Sequence, residues 1–166
     1  LNFLIAGLLT LVLAIGLWRT PKGSKGTKWG PIIVAYWAFG LIGATLFLTD
    51  PVSGYPPGTP DSVAEPSWHG ALHDLFSVPT FFAMAIACCF IFSRWFLRQG
   101  RRGWAVYTVA NGIVVLVSFI LAAAAFNQVP ALVDYGGLFQ RITAIAIWSW
   151  LTILALYVLK SLRKNT

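Results

Sequence analysis

Two histidines, His69 and His73, stand four positions apart in a chain that has no others. On a helix that spacing puts both imidazoles on one face, about one turn apart. Asp74 follows at once, Asp50 lies upstream across a proline-rich segment, and Arg141 sits beside Gln140 far downstream. Two histidines with one carboxylate, here His69, His73 and Asp50, form the ligand set that leaves a position on zinc open for water and supports hydrolysis. The same residues suit a second role, a hydrogen-bonded clasp or binding site that ties helix ends together, in which Arg141 finds an anionic partner in Asp74 or Asp50. A third is a pH response through His69 and His73, because imidazole titrates near neutral pH. The clasp or binding role is favoured, since two histidines without an identified third ligand are a weak metal signal.

Other chemistries fit these residues poorly. Bis-histidine haem needs ligands on opposite faces of the macrocycle, and His69 and His73 share one helix. Ser67 and Ser77 lie near the histidines in sequence, but neither has the strand-turn-helix setting that activates an elbow serine.

The elements that position these groups are set by composition. Of the 166 residues 58% are hydrophobic and 10% charged, less than half the roughly 25% charged content of soluble domains. The polar residues fall in breaks between long apolar runs, so the solvent facing those runs is lipid. Five runs are long enough to cross about 30 Å of hydrocarbon: residues 1–18, 30–49, 70–93, 104–126 and 138–159. The expectation is therefore an all-α integral membrane bundle of five transmembrane helices, with residues 1–166 as one domain. The break at 19–29 carries Lys22, Lys25 and Lys28 with Pro21, Gly23 and Gly26 and reads as a short flexible turn. Between Asp50 and Trp68, Pro51, Pro56, Pro57, Pro60 and Pro66 exclude helix and predict an irregular lid. Pro79 should kink the third span. Gly40 and Gly43, with Ala44, invite close approach of a neighbouring helix on the second. Trp18, Trp29, Trp68, Trp95 and Trp104 fall at span ends, where indole rings anchor at the headgroup level.

The span centres hold no Asp, Glu, Lys, Arg or His, which argues against proton pumps, voltage sensors and many ion-coupled transporters. A net charge of +7 is no sign of nucleic-acid binding, because the cations cluster beside hydrophobic spans. Cys88 and Cys89 are adjacent within a span and read as small apolar residues. Eleven of the twelve Lys and Arg residues lie in the breaks 19–29 and 94–103 and in the C-terminal tail with Lys160, Arg163 and Lys164. The positive-inside rule places these on the cytoplasmic side. All five acids, Asp50, Asp61, Glu65, Asp74 and Asp134, then fall at or near the outer face. This topology leaves Leu1 outside, which predicts one further helix upstream and six spans in the full gene product.

Several strings carry a resemblance. Leu48-Thr49-Asp50-Pro51 closes one span, a Pro- and Gly-rich outer loop follows, then Trp68-His69-Gly70 with His73-Asp74, and Gly137-Leu138-Phe139-Gln140-Arg141 opens the last span. Together they resemble the bacterial membrane proteins grouped as domain of unknown function 998, over essentially the whole chain, as helices two to six of that six-helix family. The resemblance implies motif positions at Asp50, His69, His73 and Arg141 and supplies no activity. The Asp plus His-x-x-x-His pattern is also loosely similar to the intramembrane hydrolases that include alkaline ceramidases and adiponectin-type receptors. A third histidine and two helices of that pattern are missing here.

The sequence thus predicts a multi-pass protein of the bacterial inner membrane whose outward-facing polar site comprises Asp50, His69, His73, Asp74 and Arg141. Its expected role is an accessory, binding or sensing subunit packed against membrane lipids, a pigment or a larger membrane-protein complex. The alternative is a zinc-dependent hydrolase of lipids or headgroups at the outer leaflet.

Overall fold

Long apolar runs satisfy their own backbone by coiling, and in lipid that is the one arrangement open to a single segment. The computed structural model describes residues 1–19 and 28–163, with side chains as far as Lys160. Pro21, Lys22, Gly23, Lys25, Gly26 and Lys164 lie outside the described residues, as do the side chain of Arg163 and the turn expected around Lys25. The helices are α1 (Asn2–Arg19), α2 (Trp29–Leu46), α3 (Trp68–Ile86), α4 (Ser93–Arg98), α5 (Arg102–Phe126) and α6 (Gly136–Arg163), with a π-helical turn at Ala87–Phe92 and a 3₁₀ turn at Val133–Tyr135. Because α3, the π turn and α4 run on as one rod, five helices are long and apolar enough to span a membrane. No strand occurs among the described residues, which hold one isolated bridge, Val52 to Tyr55.

Each helix packs on the next: α1 on α2, α2 on α3, α3 on α5, and α5 on α6. The core forms where Val34, Trp37 and Leu41 of α2 meet Met84 and Ala85 of α3, Phe92 of the π turn, Val115 of α5 and Ile147, Trp150 and Leu154 of α6. As the small residues of α2 predict, α3 approaches closely there. A Cβ on Gly43 would collide with the Phe76 ring, and one on Gly40 with Thr80. Between α5 and α6 the cement is polar. Trp150 Nε1 donates to Thr108 Oγ1 (3.2 Å), the Ser118 and Thr143 hydroxyls pair at 2.7 Å, and Asn111 Nδ2 donates to the Ala146 carbonyl (3.0 Å). Interhelical bonds of this kind contribute about 0.6–2 kcal/mol each in a bilayer.

The third span contains more than a proline. Pro79 lies inside α3 without ending it, and the hydroxyl of the next residue, Thr80, donates to the Ser77 and Phe76 carbonyls at 2.6 and 3.3 Å. Two turns on, the helix widens into the π turn, where the Ser93 hydroxyl donates back to the Cys89 carbonyl. Hydroxyl back-bonding of this kind locally distorts helices. The widened turn lies against Gly112 of α5, at which a Cβ would meet Cys89 Sγ and Cys88 Cβ.

The charge map has two ends. At one, Phe96 of α4 stacks on Trp104 of α5 and Tyr157 of α6 meets Phe96 edge-on and Trp104 at a tilt, beside a turn in which Gly100 (φ +71°) lets the Gly100 and Arg101 amides donate to the Leu97 and Phe96 carbonyls. Arg94, Arg98, Arg101, Arg102 and Lys160 are exposed here. At the other end stand the acids. Between Asp74 and Arg94 lie nineteen residues without a charge, about 28 Å of helix, which is the thickness of the hydrocarbon layer.

The glycine contacts give a direct check on packing. Gly43→Val should lower unfolding free energy in detergent by about 1–3 kcal/mol through overpacking, whereas Gly16→Ala, whose new Cβ meets nothing within 4 Å, should leave it unchanged. Thermal or denaturant unfolding of the purified variants reads the difference. Equal effects would mean that α2 and α3 do not pack as described.

Candidate functional site at the acidic end

The residues singled out by their chemistry meet where α2 ends and α3 begins. Phe47 caps α2 in an extended conformation, and its side chain stacks on Phe76 (5.7 Å, 8°) and stands near the rings of Trp68 and His69 (6.3 and 6.1 Å). Its carbonyl, one of the acceptors that a helix end leaves unpaired, lies 2.9 Å from His73 Nδ1. A carbonyl can only accept, so this nitrogen carries the proton and Nε2 is the free position in the neutral ring.

Three residues beyond Phe47, the carboxylate of Asp50 reaches the start of the next helix. Its Oδ2 accepts the Ser67 amide at 2.9 Å. Ser67 is the N-cap of α3, and its hydroxyl accepts the Gly70 amide at 3.0 Å, so two donors of the first turn are satisfied by neighbouring side chains. A carboxylate at this position also faces the positive end of the helix dipole. Gly70 is the residue that fits, because a Cβ there would collide with the Asp50 carboxylate.

In the structure a clasp joins the ends of α2 and α3, its atoms mostly backbone: Phe47 O, Ser67 N and Gly70 N. The last span, which the expected clasp also included, takes no part in it. Arg141 is exposed and donates instead to the carbonyl of Gly137 on its own helix (3.1 Å). Among the described residues it forms no ion pair with Asp50 or Asp74. At this end α6 is set by α5, where Gly136 leaves room for the Phe126 ring. Asp74 is exposed, and so is His69, whose imidazole lies against the Trp68 indole (3.7 Å, 30°). Among the described residues no three His, Cys, Asp or Glu side chains are grouped to hold a metal ion, and Asp50, His69 and His73 are all described.

Reading the sequence missed three participants. Ser67 shows a readable signal, a serine directly before an apolar helical run, and it matters as a cap and not as a nucleophile. Phe47 contributes a backbone oxygen, which no residue type announces. Gln128 (φ +61°), just past the end of α5, holds the proline-rich segment that follows Asp50. Its Nε2 lies 3.1 Å from both Ser53 Oγ and the Asp61 carbonyl, and so joins the proline-rich segment to the connection between α5 and α6. That segment is non-helical, as its prolines predict.

The family model described as "Protein of unknown function (DUF998)" matches residues 1–157. The chain belongs to this family. No curated protein and no solved structure matches it, and the looser likeness to ceramidase-type hydrolases is not among the findings. In this DUF998 protein two of the strings that suggested the family fall at the clasp, Asp50 on one side and Trp68-His69-Gly70 with His73 on the other, whereas the string from Gly137 to Arg141 lies outside it. Family membership and the five apolar helices make it a multi-pass membrane protein.

A double-mutant cycle tests the clasp. Gly70→Ala alone should cost about 1–3 kcal/mol, because its Cβ meets the carboxylate, and Asp50→Ala alone about 1 kcal/mol for the lost amide bond. With Asp50 already truncated, Gly70→Ala should cost much less, giving a coupling of about 1 kcal/mol or more. Additive effects in detergent unfolding would show that the two residues do not touch.

Proposed function

We propose that this DUF998 protein is an accessory, binding or sensing subunit of the bacterial cytoplasmic membrane, and not an enzyme. It presents a polar rim at its acidic end to a partner, and its basic loops and C-terminus lie in the cytosol. The observation that carries this reading is the division of labour among the ionisable groups. Asp50 and His73 are engaged by backbone groups, whereas His69, Asp74 and Arg141 are exposed around the same end with Trp68 and Leu138. Covalent catalysis needs a nucleophile and base oriented by a third group, and here Asp50 and His73 hold helix ends instead. A rim of separated charges and aromatic surface instead suits recognition of a second membrane protein, with polar contacts fixing register and specificity. Orientation follows from the positive-inside rule, since Arg19, Lys28, Arg94, Arg98, Arg101, Arg102 and Lys160 share one end and every acid the other.

Three experiments test this. A photoreactive residue replacing exposed Leu138 should yield one discrete protein adduct in native membranes, diminished at least tenfold by Asp74→Asn with Arg141→Gln. Adducts with lipid alone, indifferent to those changes, would refute a protein partner. For orientation, a membrane-impermeant thiol reagent added from the periplasm should modify Thr59→Cys and spare Arg101→Cys, and the reverse pattern would invert the map. Stoichiometric zinc in the purified protein, lost in His69→Ala, would overturn the non-enzymatic reading and restore the hydrolase.

A further inference from the structure

Near the basic end, the last turns of α1 and the first two of α2 flank an open groove of about 260 Å³ lined by Leu11, Ala14, Ile15, Trp18, Pro31, Ile32 and Ala35. Every one of these side chains is apolar. Pro31 falls in the first turn of α2, where a missing N–H costs nothing, so that wall presents no donor there. The residues just beyond the groove in sequence are different in kind. Arg19 closes α1 and Lys28 is the residue before α2, both exposed, with exposed Trp18 and Trp29 at the same level. The described acids all stand at the opposite end of the bundle, so among the described residues no carboxylate neutralises these two cations.

An apolar slot that opens sideways into lipid beneath unpaired cations matches the two halves of an anionic phospholipid. We infer that the groove seats one acyl chain of an anionic phospholipid, with Arg19 and Lys28 at its phosphate. Dispersion along the chain supplies affinity for any phospholipid of that length, and the cations supply the preference for a net negative headgroup. Two interfacial cations are worth roughly a thirtyfold preference over a zwitterionic lipid. The inference depends on membrane residence and on this face of α1 and α2 being open to lipid, and is independent of which end faces the cytosol and of any partner at the acidic rim.

Native mass spectrometry of the detergent-purified protein, titrated with dioleoylphosphatidylglycerol or dioleoylphosphatidylcholine, reads the site directly. The expected result is roughly thirtyfold tighter retention of phosphatidylglycerol, falling to within threefold of phosphatidylcholine in Arg19→Gln with Lys28→Gln. Arg101→Gln with Arg102→Gln, at the same end but away from the groove, should leave the preference within twofold of the parent. Ala35→Phe should lower retention of both lipids by filling the slot, and Ile15→Phe does the same from the α1 wall if the first variant fails to fold. Equal retention of the two lipids, equal sensitivity to the Arg101 and Arg102 changes, or indifference to both filling variants would overturn the assignment. So would a photoreactive residue at Ile32 that captures a second copy of this chain or another protein in place of lipid.

Discussion

In hydrocarbon a backbone amide or carbonyl has no water to turn to, and each one left unpaired costs several kcal/mol. Within a helix this demand is met automatically, so the difficulty moves to the places where helices stop. At the junction of α2 and α3 the chain must end one helix, cross a proline-rich segment that cannot supply regular pairing, and start another. Asp50, Ser67 and His73 are what makes this possible: a carboxylate and a hydroxyl take up amides at the start of α3, and an imidazole donates to the last carbonyl of α2. The aromatic stack of Phe47 on Phe76 lies directly beneath. Gly43 lets Phe76 sit flush against α2, so the close approach of the helices and the capping of their ends are one arrangement.

The same demand governs the interior, and there it falls on α6. Thr108, Ser118 and Asn111 of α5 each find a partner on α6, which makes this interface the polar seam of the bundle. Two buried side-chain atoms have no partner among the described residues, Trp37 Nε1 and Asn111 Oδ1. Both residues face α6: the Trp37 indole meets Trp148 edge-on, and the Asn111 amide is fixed by Ala146. Hydrogen bonding thus holds α5 to α6, while α2 reaches α6 through rings. The π turn widens the rod against Gly112, where α5 has no side chain to resist it, and its Phe92 packs on the Trp150 ring of the same seam.

Sequence reasoning reached the spans because the signal, a long uncharged run, is local and strong. The helix starts at Trp29, Trp68, Arg102 and Gly136 lie within two residues of the expected boundaries. Close packing at Gly40 and Gly43 was legible for a similar reason, since small residues at one helical face have few other uses in a membrane. Within the site, Asp50, His69 and His73 were recognisable as polar groups out of place in an apolar chain, but their partners were not. A clasp closed on Phe47 O and Ser67 N involves main-chain atoms, which every residue carries, so residue types cannot disclose it. Arg141 shows the opposite error: a cation alone among acids suggests an ion pair, yet at an exposed interface hydration and its own helix's Gly137 carbonyl suffice. The π turn had no signal at all, for Ala87-Cys88-Cys89-Phe90 reads like any apolar helix.

Charge segregation between the two ends is harder to attribute to stability. Some of it suits the helix dipoles: Arg19, Arg98 and Lys160 lie in or near the last turns of α1, α4 and α6, where cations are favoured, and Asp50 lies at the start of α3, where anions are. Lys28 and Arg102, however, stand at the starts of α2 and α5, with Arg101 beside the latter, and there the dipole opposes them. A bundle arranged for helix stability alone would place acids at those two positions. That cations occupy them instead means the constraint acts on the whole end of the molecule and not on each helix. Retention of cationic segments on one side of a bilayer is a constraint of that kind, and it leaves the basic end with a positive field that no carboxylate side chain among the described residues cancels.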